Sequence, residues 1–227
     1  MAPLNSEPAR KDVTFGDFIF ELPKQLTPQF CKHLINRYET DPVSVKTRNS
    51  GRTFGSDGFQ ALKVKQSEDF QLSRYKEFVY EDKTLNLALE KLLRNYIDHL
   101  VDNLNPFFEE LTHFNYEDSG FQIQKTTPHG FYSWHSDAHT SSDSNAIKTR
   151  SFTYIFYLND VNNAGETEFA NGRKVKPEEG KALLFPANWE YLHRGIAPVD
   201  EIKYITTGWV SALYPTTEQN LTEPKTE

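Results

Sequence analysis

The chain has 227 residues, 25 of them basic and 32 acidic, with a formal net charge of −7, 37 % hydrophobic and 14 % aromatic content. That length suits one domain with a sizeable core, and the negative balance argues against nucleic acid as a partner. The single cysteine, Cys31, excludes an intramolecular disulfide and a thiolate zinc site within one chain, and fits a reducing, cytoplasmic setting.

Residues 1–12 are polar and contain proline, with no apolar run after their charges. They read as a loose lead-in and not as a secretory leader. No stretch approaches the roughly 18 apolar residues of a membrane-spanning helix, so no membrane partner is expected. Phe15 to Leu22 alternates well enough for a strand. Thr27-Pro28 reads as an N-cap followed by a first-turn proline, opening a helix through Phe30, Cys31, Leu34 and Ile35 to about Tyr38, with Cys31 in the core. Residues 42–60 are rich in Gly, Ser and charge and read as a long loop carrying Lys46, Arg48 and Arg52, the kind of loop that often binds ligands. From Thr84 to Leu104, the leucines at 85, 89, 92, 93, 100 and 104, with Tyr96, form one helical stripe. Asn105-Pro106 ends it.

After about residue 120 the periodicity changes. Short alternating or apolar runs at 121–125, 151–158, 181–185 and 202–210 alternate with turn signals such as Pro128-His129-Gly130 and Asn162-Asn163-Ala164-Gly165. Strands of this kind predict a β-sandwich or barrel. One domain is expected over 13–213, with helix and strand support at 13–118, a β core at 119–213, and a disordered tail at 214–227.

His135-Ser136-Asp137, with His193 and then Lys203 far downstream, carries the chemical signal. Two imidazoles and one carboxylate fill one face of an octahedral metal and leave three positions open. On one strand His135 and Asp137 would leave the same face. Rival readings stay open from the residues alone. His139 could join His135 and Asp137 in place of His193, the histidines could be ordinary hydrogen-bonded ones, and Arg194 or Lys181 could replace Lys203. Arg150 reads as an ion-pair partner. A closed site with a fourth protein ligand would be a non-catalytic metal- or ligand-binding β-sandwich module.

The motif order resembles the catalytic core of the iron(II)/2-oxoglutarate dioxygenases, in the prolyl 4-hydroxylase-like branch. The residues concerned are Pro128, Gly130 and Tyr132 before His135 and Asp137; Tyr157-Leu158-Asn159-Asp160; Gly165-Glu166-Thr167; and His193, Gly195 and Lys203. With the weaker N-terminal match, the resemblance spans about four-fifths of the chain. It implies an α+β, mainly β fold: a double-stranded β-helix, jelly-roll or cupin-like, with supporting helices packed on one sheet. It implies His135, Asp137 and His193 as iron ligands, with no catalytic residue beyond them. Lys203 would pair with the distal carboxylate of 2-oxoglutarate, and Ile155, Tyr157, Thr207 and Trp209 would line the cosubstrate pocket. Tyr132, Trp134 and Arg52 are candidates to face the acceptor. The implied cofactors are Fe(II), 2-oxoglutarate and O2, with ascorbate left open. The implied reaction hydroxylates a C–H bond, first a peptidyl proline under the 42–60 loop, otherwise another amino acid or a small metabolite, in a monomer or homodimer. Thr126 departs from the family's pocket tyrosine, which Tyr132 or Tyr157 could replace. Ala164 stands for a glycine, and Ala138 to Lys148 is a polar insert.

Overall fold

The computed structural model describes residues 18–51, 64–142 and 146–215. The lead-in 1–12, the residue Arg52 and most of the expected tail lie outside them. The strand expected at 15–22 is described as β1 (Phe20–Leu22), and α1 runs Pro28–Thr40. The Thr27 hydroxyl accepts the Phe30 N–H, and Cys31, Leu34 and Tyr38 face the core. The same signal recurs unrecognised at Asp41-Pro42. Asp41 caps the Val43 N–H and opens α2 (Pro42–Thr47) where a loop is expected. The cap and the first-turn proline outweigh the poor helix propensity of Val-Ser-Val. β2 (Asn49–Ser50) and β3 (Glu68–Gln71) follow. Arg48 is no free loop cation: it pairs with Glu39 at 3.4 Å and lies 5.1 Å over the Tyr38 ring.

The long helix spans Val79–Asn103 and buries Leu85, Leu89, Leu92, Tyr96 and Leu100. It starts five residues before Thr84, the expected start, with Glu81 and Asp82 in its first turn, where the helix dipole favours acidic groups. Asn105 caps a 3-10 segment, Pro106–His113, through the Phe107 N–H. No helix among the described residues is long and apolar enough to cross a membrane.

The β elements are β4 (Tyr116–Asp118), β5 (Gln122–Thr126), β6 (Tyr132–His135), β7 (Thr140–Ser142), β8 (Ala146–Tyr157), β9 (Thr167–Phe169), β10 (Lys174–Val175), β11 (Ala182–Pro186), β12 (His193–Gly195) and β13 (Lys203–Pro215). The larger sheet runs β1-β11-β8-β13-β5-β3-β2, with β4 also on β13 and β7 also on β8; the smaller runs β10-β9-β12-β6. The polar insert forms β7 and the start of β8, paired antiparallel at Thr140–Thr149 and Ser142–Ile147. Tyr214 and Pro215, expected in the tail, extend β13 against Ile147 and Ala146.

Period-two alternation splits the central strands between two apolar clusters. On β8, Phe152, Tyr154 and Phe156 join the helices, and so do Leu184 on β11 and Tyr204 and Val210 on β13. Ile155, Tyr157, Leu183, Phe185 and Ile205 point the other way and pack against Phe169 and Val175 of the smaller sheet. Burial on both faces is why β8 reads as a nearly continuous apolar run. The helices therefore cover one face of the larger sheet, and the space between the sheets is left for chemistry.

This packing sets a contrast on the long helix. Leu85 is fully buried and Leu87 is 68 % exposed. Leu85→Ala is expected to cost about 2–5 kcal/mol in urea unfolding, and Leu87→Ala less than about 0.5 kcal/mol.

Candidate metal centre

His135 is the last residue of β6 and His193 the first of β12, and the two are direct partners in the smaller sheet. His193 is also opposite Phe169 on β9. Asp137 lies two residues past the end of β6 and not on the strand, so the simple alternation argument fails for it. Its chain path still turns the carboxylate back between the two imidazoles. His135 Nε2 is 3.7 Å from Asp137 Oδ1, and His193 Nε2 is 3.5 Å from Asp137 Oδ2. One ligating atom from each of the three residues lies within 4.8 Å of the others.

The rings are oriented from behind. His135 Nδ1 is 2.8 Å from the Ser133 carbonyl, and His193 Nδ1 is 3.0 Å from the Tyr191 carbonyl. A carbonyl only accepts, so each Nδ1 carries the hydrogen and each Nε2 presents its lone pair forward. This back-side arrangement is typical of metal-ligating histidines. Asp137 is steadied by the Thr153 hydroxyl, which donates to Oδ2 at 2.8 Å. Two imidazoles and one carboxylate on the same side suit a divalent first-row cation with open positions.

The electrostatics fit that donor set. Burial depresses the His135 imidazole to about 4, helped by the neighbouring His193 and opposed by Asp137. Burial alone would raise the Asp137 carboxyl. His193, His135 and the Thr153 hydroxyl outweigh it and hold Asp137 below the usual carboxylate range. His135 is thus neutral and Asp137 anionic near pH 7.

A cleft of about 600 Å3, including its open mouth, leads to this centre. Ile155, Lys203, Thr207, Trp209 and Tyr132 line it, and so do Gln124, Thr126, Thr153 and Thr167. Lys203 is 6 % exposed and donates to the Gly165 carbonyl at 2.8 Å. No carboxylate among the described residues lies within ion-pair distance of it. Thr207 donates back to the Tyr154 carbonyl at 2.7 Å. The indole N–H of Trp209 is buried without a hydrogen-bond partner of ordinary geometry. A buried cation with no carboxylate in ion-pair distance, beside a buried indole donor, makes a wall that suits an anionic, oxygen-rich guest.

Other expected residues lie elsewhere. Tyr157 is fully buried behind the cleft, its hydroxyl 2.7 Å from that of Thr167, so Thr167 and not the phenol lines the wall. Trp134 is 45 % exposed on the outer face of the smaller sheet, with the Arg194 guanidinium 4.9 Å over its ring. Arg150 makes no ion pair among the described residues. Its guanidinium lies 3.6 Å over the Trp209 ring and donates to the Asp137 carbonyl at 3.3 Å, because half-burial favours an aromatic face over a solvated carboxylate. His139 is not part of the cluster. Thr153, absent from the residues the sequence singles out, stands two residues before Ile155 on β8, and period-two alternation points both into the same cleft.

With the fold and the donor set described, comparison with known proteins places the chain. Residues 121–211 match the family model of the 2OG-Fe(II) oxygenase superfamily. Over those residues the chain is similar to that family, whose members are enzymes that use iron(II), 2-oxoglutarate and O2, and the His135, Asp137 and His193 donor set fits the iron. No curated protein matches the chain. Among solved structures, one similar fold is a viral collagen prolyl hydroxylase from Paramecium Bursaria Chlorella virus-1 in complex with 2-oxoglutarate. The identity is 20 %, covering 86 % of this chain and 96 % of that one, with a TM-score of 0.56. A prolyl hydroxylase from Trichoplax adhaerens, bound to a hypoxia inducible factor peptide fragment, is 13 % identical over 86 % of this chain and 83 % of its own, at TM-score 0.62. A Pseudomonas putida prolyl-4-hydroxylase is 16 % identical over 85 % and 91 %, at 0.55. These likenesses establish the double-stranded β-helix fold.

The depressed His135 has a consequence for stability. Its folded value lies below that of an unfolded histidine, so the unfolded chain binds more protons between about pH 4 and the ordinary value of about 6.5. The metal-free protein is therefore expected to lose stability as pH falls through that window, read as a falling thermal midpoint. His135→Gln is expected to flatten this limb; an unchanged limb would show that His135 is not held neutral.

Proposed function

We propose that this chain is an iron(II)- and 2-oxoglutarate-dependent dioxygenase that hydroxylates peptidyl proline at C4. His135, Asp137 and His193 would hold the metal, and Lys203 would hold the distal carboxylate of 2-oxoglutarate. The observation that carries the proposal is the pairing of an open three-donor set with a buried, carboxylate-free lysine across one cleft. A structural metal site would instead be closed by a fourth ligand, and His139 stands outside the cluster.

When bound, iron with 2-oxoglutarate and O2 supplies oxidative decarboxylation, giving succinate, CO2 and one oxygen atom for a substrate C–H bond. The residues do the rest. Nδ1–H of each histidine stays on its carbonyl and fixes the forward lone pair. Thr153 keeps one Asp137 oxygen occupied. Lys203 neutralises a carboxylate in a place where an unpaired charge is costly. Ile155, Ile205 and Trp209 keep water from the reacting centre. Proline in a peptide is the acceptor favoured by the likeness to prolyl hydroxylases, one of them peptide-bound.

The test is direct. Anaerobic iron(II) with 2-oxoglutarate is expected to give a weak visible absorption band that His135→Ala abolishes. In air, proline-containing peptides should stimulate succinate release and gain one oxygen atom by mass. A protein with neither band nor succinate would be a binding module instead. Succinate formed only with free amino acids or small metabolites would move the acceptor away from peptides.

Lys203 gives a separate expectation. Burial lowers its ammonium to about 8, against the pull of Glu166. Cosubstrate binding needs the charged form, so the KM for 2-oxoglutarate is expected to rise roughly tenfold per pH unit above about pH 8. Lys203→Arg should flatten that rise, because a guanidinium stays charged. Lys203→Ala should raise the KM by about 10- to 100-fold, the range of a charge-assisted hydrogen bond, and leave iron affinity unchanged. Equal loss of both affinities would make Lys203 a folding residue.

A further inference from the structure

One buried ion pair has no part in the mechanism above. Lys65 is 4 % exposed and Asp69 6 % exposed, and their contact is 2.7 Å. Asp69 uses its other oxygen to accept from the Ser67 hydroxyl at 2.7 Å, so neither oxygen is idle. Main-chain contacts fix the segment as well. Lys65 bridges to Tyr132, Gln66 N–H donates to the Phe131 carbonyl at 2.8 Å, and Gly51 N–H donates to the Ser67 carbonyl at 2.7 Å. Space is closed around the lysine stem: a Cβ on Gly51 would meet Lys65 Cε at 2.9 Å.

What this clamp holds is an ammonium 5.1 Å over the ring of Tyr132. That ring is also stacked on the His135 imidazole, with centroids 3.6 Å apart and planes 15° apart. His135 in turn meets the His193 ring at 4.2 Å. The sequence of contacts is therefore ammonium, phenol ring, imidazole, imidazole. The Nδ1 hydrogen bond to Ser133 holds one edge of the His135 ring, and a flat ring stacked on its face adds a second restraint on its plane. A buried ion pair contributes little net stability by itself, since desolvation offsets the attraction. Its place in the wall is better explained by what it presses on.

We propose that Lys65, clamped by Asp69, is a positioning residue that holds the Tyr132 ring flat on His135 and so fixes the plane of the imidazole at the metal centre. The inference rests on the metal-binding reading of His135. It gives the Tyr132 ring face a task separate from any contact with the acceptor.

The test measures iron(II) dissociation constants by chelator competition under anaerobic conditions, without turnover. The doubly neutral Lys65→Met/Asp69→Asn variant avoids an orphaned buried charge. It is expected to bind iron about tenfold more weakly, the low end for groups that orient metal ligands, with the dissociation constant for 2-oxoglutarate at saturating iron unchanged. Placed in a Tyr132→Leu background, the same pair of changes is expected to have no further effect, since the ring through which it acts is gone. An undiminished loss in that background, or no loss in the native one, overturns the proposal. If the double variant does not fold, Tyr132→Phe and Tyr132→Leu decide the matter: Phe keeps the ring and should bind iron as the native chain does, and Leu should lose about tenfold. Equal affinity of those two overturns it. A native chain that binds no iron fails the metal reading instead, which is a different result.

Discussion

A carboxylate withdrawn from water needs partners close at hand, and Asp137 is almost fully withdrawn. Its partners are two imidazoles at 3.5 and 3.7 Å and one hydroxyl at 2.8 Å. Removing a single partner from such an arrangement typically costs several kcal/mol. The fold is organised to supply them. The direct pairing of His135 with His193 across β6 and β12 brings together residues far apart in the chain, and β8 of the opposite sheet contributes Thr153. The two carbonyls behind the histidines decide which nitrogen faces forward. In the metal-free state this is a costly local arrangement, and a divalent cation is the species whose charge it best accommodates.

The same sandwich places Lys203 across the cleft. β13 lies between β8 and β5 in the larger sheet, and its odd-numbered residues from Lys203 to Trp209 face the smaller sheet. One strand thus delivers a cation, a hydroxyl and an indole along the cleft wall at fixed spacing. Lys203 shares the cleft with the three donors and is not one of them. Its depressed ammonium marks it as a group that gains more from an anionic guest than a solvated lysine would.

Much of this was legible in the sequence, for identifiable reasons. Thr27-Pro28 and the leucine stripe from Leu85 to Leu100 are local signals, and local signals survived into α1 and the long helix. The convergence of His135, Asp137 and His193 was legible only through motif order, since nothing in the separate segments says which strands pair. Misreadings came where tertiary context decided. α2 forms where the Gly- and Ser-rich composition predicts loop, because the Asp41 cap and Pro42 decide locally. Asp137 was placed on a strand that ends two residues earlier. Arg150 was given an ion pair, yet the half-buried site offers it the Trp209 face. Tyr157 is on the expected face of β8 but too deep, with Thr167 between it and the cleft. The roles of Lys65 and Thr153 were illegible for another reason: each acts on a neighbour that is remote in the chain.

The most direct measurement is anomalous diffraction at the iron edge from crystals grown anaerobically with iron(II) and 2-oxoglutarate. The account expects one iron peak within coordination distance of His135 Nε2, Asp137 and His193 Nε2, with cosubstrate density filling open positions and its far carboxylate on Lys203. Iron bound elsewhere, or held by a fourth protein ligand with no room for the cosubstrate, would contradict it.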